Sequence, residues 1–138
     1  MKQPIAETEG SSFDGSCHCG AIRFRVQGPH RKILMCHCSD CLKISGTSWG
    51  ASAARAENFD WLTAARPSWY RSSDWAERGF CSECGSQMFY RIDDRPLISS
   101  APGAFDSSEM RSVAGQIFRS SHPALGPVGS EITDLDNG

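Results

Sequence analysis

The residues with the clearest chemical potential are seven cysteines, a high and odd number for a chain of 138 residues. A disulfide framework would leave one thiol over, and it would ask close neighbours to pair with poor geometry. Closely spaced thiols are typical ligands of zinc, so metal binding is the better interpretation. The thiols fall into three short groups: Cys17-x-Cys19, Cys36-x-Cys38-x-x-Cys41 and Cys81-x-x-Cys84.

The spacing of these groups divides the seven thiols into four and three. A structural zinc takes four tetrahedral ligands, whereas a catalytic zinc takes three protein ligands and keeps one position open. In each pair the second cysteine precedes a glycine, Gly20 or Gly85, as in a zinc knuckle, whose sharp turn directs backbone N–H groups at the thiolates. Because the pairs lie about sixty residues apart, metal there would close a long loop and be needed for folding. The two pairs supply the four ligands of this structural site: Cys17, Cys19, Cys81 and Cys84.

The middle group supplies three thiolates within six residues and predicts a second zinc site with room for water, histidine or substrate. Its members, Cys36, Cys38 and Cys41, are therefore the candidate catalytic residues. One alternative is a second structural site that a distant ligand completes. Another is a thiol/zinc redox switch, since three close thiolates can lose their metal and oxidise.

The four histidines are not expected to bind metal. His18 and His37 each lie between two ligating cysteines, so their side chains are expected to point away from the ion, either to a place behind the ligands or to the surface. His30 and His122 lie in stretches that contain proline and are expected to be solvated loop residues.

Short extended segments connect the cysteine groups. Ile22, Phe24 and Val26 alternate with Arg23 and Arg25, which predicts a half-buried strand with both arginines on its solvent face. Residues 54–59 and 106–110 allow helices of no more than two turns. The chain is therefore expected to be mainly β with few short helices. Other short strands are indicated at 33–35, 69–71, 88–91, 97–98 and 117–118.

Composition limits the classes of function and the number of domains. Sixteen acidic and 14 basic residues are interspersed, so no broad positive field favours nucleic acid. No apolar run approaches about 18 residues and no secretory signal is evident, which predicts no membrane contact and a cytoplasmic location with reduced thiols. The length fits one domain over residues 13–120, between flexible tails at 1–12 and 121–138.

The combination of the three cysteine groups resembles the glutathione-dependent formaldehyde-activating enzyme family, which includes centromere protein V. The resemblance covers roughly residues 13 to 119. It extends to Ser45-Gly46, Ser72-Ser73 and the stretch 101–106. The motifs that carry it are Gly15-Ser-Cys-His-Cys-Gly20, Cys36-His-Cys-Ser-Asp-Cys41 and Arg78-Gly-Phe-Cys-Ser-Glu-Cys-Gly-Ser86.

The resemblance implies a β-tent fold of short antiparallel strands around a structural zinc, with a second zinc on the three-cysteine group. It also implies a carbon–sulfur lyase acting on a thiol–aldehyde adduct such as S-(hydroxymethyl)glutathione. Glutathione is the expected partner, and Ser45, Gly46 and Thr47 are the candidate substrate-binding residues. A non-catalytic zinc-binding interaction module remains the alternative. The chain lacks the histidine and tryptophan that many members carry near residues 115–125, so the wall of the open site is expected to differ.

Overall fold

A computed structural model of the chain describes residues 11–111 and 113–121. The tails expected at 1–12 and 121–138 lie almost wholly outside these residues, as does His122, and the domain boundaries stay a prediction. The described elements are one α-helix, α1 Ser39–Ser45, and ten strands: β1 Ser12–Ser16, β2 Arg23–Gln27, β3 His30–Cys36, β4 Trp49–Arg55, β5 Phe59–Trp61, β6 Ser68–Arg71, β7 Ala76–Phe80, β8 Gln87–Ile92, β9 Leu97–Ser100 and β10 Val113–Ile117.

The strands form a small and a large sheet. The small sheet has the order β1-β2-β5 and is antiparallel. The large sheet has the order β10-β3-β4-β9-β8-β7-β6, in which β10 runs parallel to β3 and the other described pairs are antiparallel. The expectation of a mainly β fold with few short helices is confirmed.

Strand β2 shows the alternation that the sequence predicts. Phe24 is fully buried, and its neighbours on either side lie on the opposite face. Those neighbours form ion pairs at the surface: Arg23 with Asp106 at 3.4 Å, and Arg25 with Asp14 at 2.7 Å. The solvent-face assignment of both arginines is therefore confirmed.

Phe24 is also the centre of an aromatic core that joins the two sheets. Its ring lies 5.1 Å from Phe89 of β8 and 5.4 Å from Phe105, both in edge-to-face geometry. Cys17 and Cys81 are buried members of the same core. The core thus fixes the places where two of the cysteine groups leave the sheets.

The two helices expected from the sequence are reduced to single 3-10 turns. Strand β4 continues to Arg55 and pairs with β9, leaving one turn at Ala56–Asn58, because sheet pairing overrides the helix propensity of alanine. The second turn is Ser108–Arg111. No helix in the described ranges is long and apolar enough to cross a membrane.

The assignment of His30 to a solvated loop is wrong. His30 is the first residue of β3, is half-buried, and packs edge-on against Phe13 with ring centroids 5.4 Å apart. Burial lowers the pKa of His30 below its ordinary value. The preceding Gly28-Pro29 is the turn between β2 and β3 rather than part of a longer loop.

Candidate metal centres

The two outer cysteine pairs meet in space to form one four-sulfur group. The Sγ atoms of Cys17, Cys19, Cys81 and Cys84 all lie within 4.8 Å of one another. Cys19 Sγ lies 3.6 Å from Cys17 Sγ and 3.9 Å from Cys81 Sγ. A tetrahedral zinc with bonds of about 2.3 Å requires sulfur–sulfur distances of about 3.8 Å. The group therefore fits a four-coordinate zinc ion. All seven cysteines lie within the described residues and are free thiols.

Both pairs adopt the knuckle turn expected from the sequence. Gly20 has φ +80° and donates its N–H to Cys17 O, while Gly85 has φ +79° and donates to Cys81 O. This left-handed conformation strains residues with a side chain, which explains glycine after each pair. The turn also brings the Ile22 N–H to 3.3 Å from Cys17 Sγ.

Ser86 links the two knuckles to each other. Its hydroxyl accepts a hydrogen bond from the His18 backbone N–H at 2.9 Å and lies 3.2 Å from Cys84 Sγ. The Ser86 hydroxyl, together with the backbone N–H groups of Ser86 and Cys19, lowers the pKa of Cys84 to about 5. The His18 side chain is exposed and outside the four-sulfur group, so the prediction that it does not ligate agrees with this geometry.

The three remaining sulfurs are brought together where β3 meets α1. Cys36 ends β3, Cys38 is the N-cap of α1 and accepts the Cys41 N–H on its Sγ, and Cys41 lies in the first turn. Their Sγ atoms lie within 4.8 Å of one another, and among the described residues no fourth His, Cys, Asp or Glu joins them. This group can hold a metal ion and leave one position open.

Helix α1 was not expected from the sequence, although it positions Cys41. The helix has seven residues and ends at Gly46, which has φ +81° and donates its N–H to Leu42 O. The usable signals were a capping residue three positions before Cys41 and a glycine at the end. Because cysteine is an unusual N-cap, the sequence around Cys38 did not indicate the start of a helix.

A buried arginine contacts the open cysteine group. Arg78 of β7 is 9% exposed and places one terminal nitrogen 3.4 Å from Cys41 Sγ. Its guanidinium lies over the rings of Trp49 and Tyr90, at 5.7 and 5.0 Å from their centroids. Hydrogen bonding from Cys36, and next the charge and hydrogen bond of Arg78, lower the pKa of Cys41 to about 5. The interaction with Cys41 correspondingly raises the pKa of Cys36.

Arg78 also lines a cavity of about 200 Å³. Its walls include Ile44, Trp49, Phe80 and Phe89, so they are largely apolar. The sequence assigned Arg78 no role, although Arg78 is the first residue of the motif around Cys81 and Cys84 that resembles the family.

The three candidate substrate-binding residues lie just beside this cavity but do not line it. They follow Ile44 at the end of α1, where the Ser45 hydroxyl donates to the Thr47 backbone oxygen at 2.8 Å. Gly46 and Thr47 are exposed. A role for these residues in binding substrate stays a prediction.

His37 points away from the sulfur group, as expected. The side chain is 0% exposed, and its Nε2 lies 2.8 Å from Gln116 Oε1. The His37 backbone N–H donates to Ile117 O, and Ile117 is opposite Cys36 in the parallel β3–β10 pair. Gln116 and Ile117 belong to the segment expected to differ from the family pattern, and this described part of it lies next to Cys36.

Known proteins are similar to this chain in sequence or in fold. The family model described as "Glutathione-dependent formaldehyde-activating enzyme" matches residues 12–121. A Halomonas elongata protein named "Putative glutathione-dependent formaldehyde-activating enzyme" is 38% identical over 106 residues, which cover 69% of this chain and 66% of the relative. A Schizosaccharomyces pombe protein named as an uncharacterized lyase is 29% identical over 85 residues, covering 56% of each.

The match to these two curated relatives thus spans less than two thirds of their length. A crystal structure of a Rhodobacter sphaeroides protein superposes with a TM-score of 0.60 at 20% identity, covering 75% of this chain and 98% of that one. At this identity the similarity establishes the fold.

Proposed function

The chain belongs to the glutathione-dependent formaldehyde-activating enzyme family, and on that premise we propose that it is a zinc-dependent carbon–sulfur lyase. Its substrate is a thiol–aldehyde adduct such as S-(hydroxymethyl)glutathione. The observation that carries the proposal is the three-cysteine group, which has no fourth ligand among the described residues and borders a cavity through Arg78. A structural site alone would have no need of such a cavity.

Zinc is the proposed ion at both cysteine groups. The closed group, Cys17, Cys19, Cys81 and Cys84, holds the structural ion, as its sulfur–sulfur distances support. Cys36, Cys38 and Cys41 hold the catalytic one. When bound there, zinc supplies a Lewis acid that keeps a substrate thiol deprotonated near neutral pH, where a free thiol of pKa about 8.5 is mostly protonated.

The chain's own residues then contribute charge balance, shape and proximity. Arg78 offsets part of the negative charge of the three thiolates. Trp49 and Phe89 supply apolar walls that exclude water from the reacting groups. A thiol and a small aldehyde held in this space react as neighbours rather than as free solutes. Glutathione is the proposed thiol, with Ser45, Gly46 and Thr47 proposed to contact its part outside the cavity.

The test is the rate at which glutathione and formaldehyde exchange with their adduct. Exchange NMR measures this rate at equilibrium, with zinc-loaded protein and with buffer alone. Cys38→Ser is the matched control, because it removes a ligand of the open group and leaves the four-sulfur group intact. We expect faster exchange with the wild type than with the variant or buffer. A wild-type rate equal to the spontaneous rate would contradict the proposal.

A further inference from the structure

Arg78 has a hydrogen-bond donor that the described protein residues do not use. A guanidinium carries five N–H donors, and one terminal nitrogen of Arg78 is bonded to Cys41 Sγ. Its Nε is buried and has no hydrogen-bond partner among the described residues. Leaving a buried N–H unpaired is costly, so this donor points to a ligand that supplies the missing acceptor.

Arg78 links the open cysteine group to the cavity, because it contacts Cys41 Sγ and also lines the cavity. The rings of Trp49 and Tyr90 lie against the guanidinium, and Trp49 lines the cavity of about 200 Å³ together with Arg78. Arg78 is the one charged residue among the lining residues of this cavity, whose other walls are mainly aromatic and aliphatic. A ligand there meets one cation, the polar side chains of Gln87 and Tyr70, and otherwise mainly apolar surface.

The sum of the charges around the open cysteine group indicates which kind of hydrogen-bond acceptor the ligand of Arg78 carries. A dication with three thiolates has a net charge of -1, and Arg78 brings the local sum to zero. A substrate thiolate then adds one negative charge. A carboxylate in the cavity would add another, with no second cation among its lining residues to offset it. A neutral carbonyl or hydroxyl oxygen is the acceptor that this balance allows.

We propose that Arg78 is a catalytic residue that donates a hydrogen bond to the oxygen of the aldehyde-derived group. This inference rests on the proposed function. During addition, the sulfur lone pair forms the carbon–sulfur bond and the carbonyl π pair moves to oxygen, which then takes a proton from water. Negative charge thus passes from sulfur to an oxygen beside a fixed cation, which stabilises the transition state. In the reverse direction the hydroxyl loses its proton, and the carbon–sulfur pair returns to sulfur.

Two thiols of nearly equal size test this contact without measuring turnover. Cobalt(II) replaces zinc, and its absorption spectrum reports ligand exchange at the open group. The protein is titrated with 2-mercaptoethanol and with 1-propanethiol, which differ by a hydroxyl in place of a methyl group. We expect the wild type to bind the hydroxyl-bearing thiol about tenfold more tightly or better, as for a hydrogen bond to a charged donor.

The variants assign that preference to Arg78. Arg78→Met, which keeps an unbranched apolar side chain without the donors, should reduce the preference to less than about twofold, while Arg78→Lys should retain part of it. Equal affinities in the wild type, or an unchanged preference in Arg78→Met, would overturn the role of Arg78 and leave the proposed function standing. If neither thiol changes the wild-type spectrum, both proposals fail. If Arg78→Met does not fold, the role of Arg78 is tested by the affinities of the wild type for the two thiols and by their change in Arg78→Lys.

Discussion

Replacing Cys81 by serine separates the two metal centres most clearly. Cys81 is 1% exposed and belongs both to the four-sulfur group and to the aromatic core. Serine is a poor zinc ligand, so the substitution opens a closed site and leaves a hydroxyl in a buried place. Cys38→Ser is the comparison, because it makes the same chemical change in the three-sulfur group.

The expected magnitudes follow from the lengths of chain that each metal centre closes. Treated as a cross-link, the four-sulfur group closes a loop of about sixty residues, worth about 4 kcal/mol in the chain-entropy relation. The three-sulfur group spans the six residues from Cys36 to Cys41, for which the same relation gives about 2 kcal/mol. The total free energy of unfolding of a domain is about 5–15 kcal/mol. Cys81→Ser therefore removes a large share of the free energy of unfolding.

Thermal melts by circular dichroism and zinc content per chain measure the difference. Cys81→Ser should be unfolded, or should melt about 15 °C or more below the wild type. Cys38→Ser should stay folded, melt less than about 10 °C lower, and retain about one zinc ion per chain. If both variants lose their fold alike, or if Cys81→Ser melts with the wild type, the division into a structural and an open site is wrong.

Two further predictions concern residues away from the metal centres. Gly79→Ala would place a Cβ 3.0 Å from the Phe89 Cβ, so we expect the free energy of unfolding to fall by about 1–3 kcal/mol in urea titrations. The control is Gly103→Ala, whose new Cβ meets nothing within 4 Å and should leave the stability unchanged. Equal effects of the two substitutions would refute this packing. Burial lowers the folded-state pKa of His30, so the unfolded chain binds its proton first as pH falls. Stability should therefore decrease below about pH 6.5 until the folded-state pKa is reached, and His30→Asn should remove this part of the pH dependence; an identical pH profile in the variant would contradict it.

Local patterns in the sequence are enough to predict the parts of the fold that local physics controls. The alternation around Phe24 identifies β2 because one face of a strand is buried and the other is wet. Gly20 and Gly85 identify the knuckles because each turn needs a positive φ. The grouping of thiols four and three follows from the ligand number of zinc, and the structure brings the same groups together.

Features that depend on distant contacts could not be predicted in this way. Arg78 reaches Cys41 across 37 positions of sequence, through the pairing of β7 within the large sheet. His30 packs against Phe13 of β1, a strand that pairs with β2 and not with β3. The strand at Trp49–Arg55 is rich in alanine, and pairing with β3 and β9 makes it extended. In each case the structure of the residue depends on a partner that is distant in sequence, and the local sequence does not identify that partner.

The central claim is that one metal centre is closed and the other accepts a thiol. Cadmium NMR of the cadmium-substituted protein tests it directly, because the chemical shift of each ion reports its own set of ligands. We predict two resonances, of which one moves when glutathione is added and the other stays in place. A single resonance, or two resonances whose chemical shifts both stay unchanged when glutathione is added, would contradict the account.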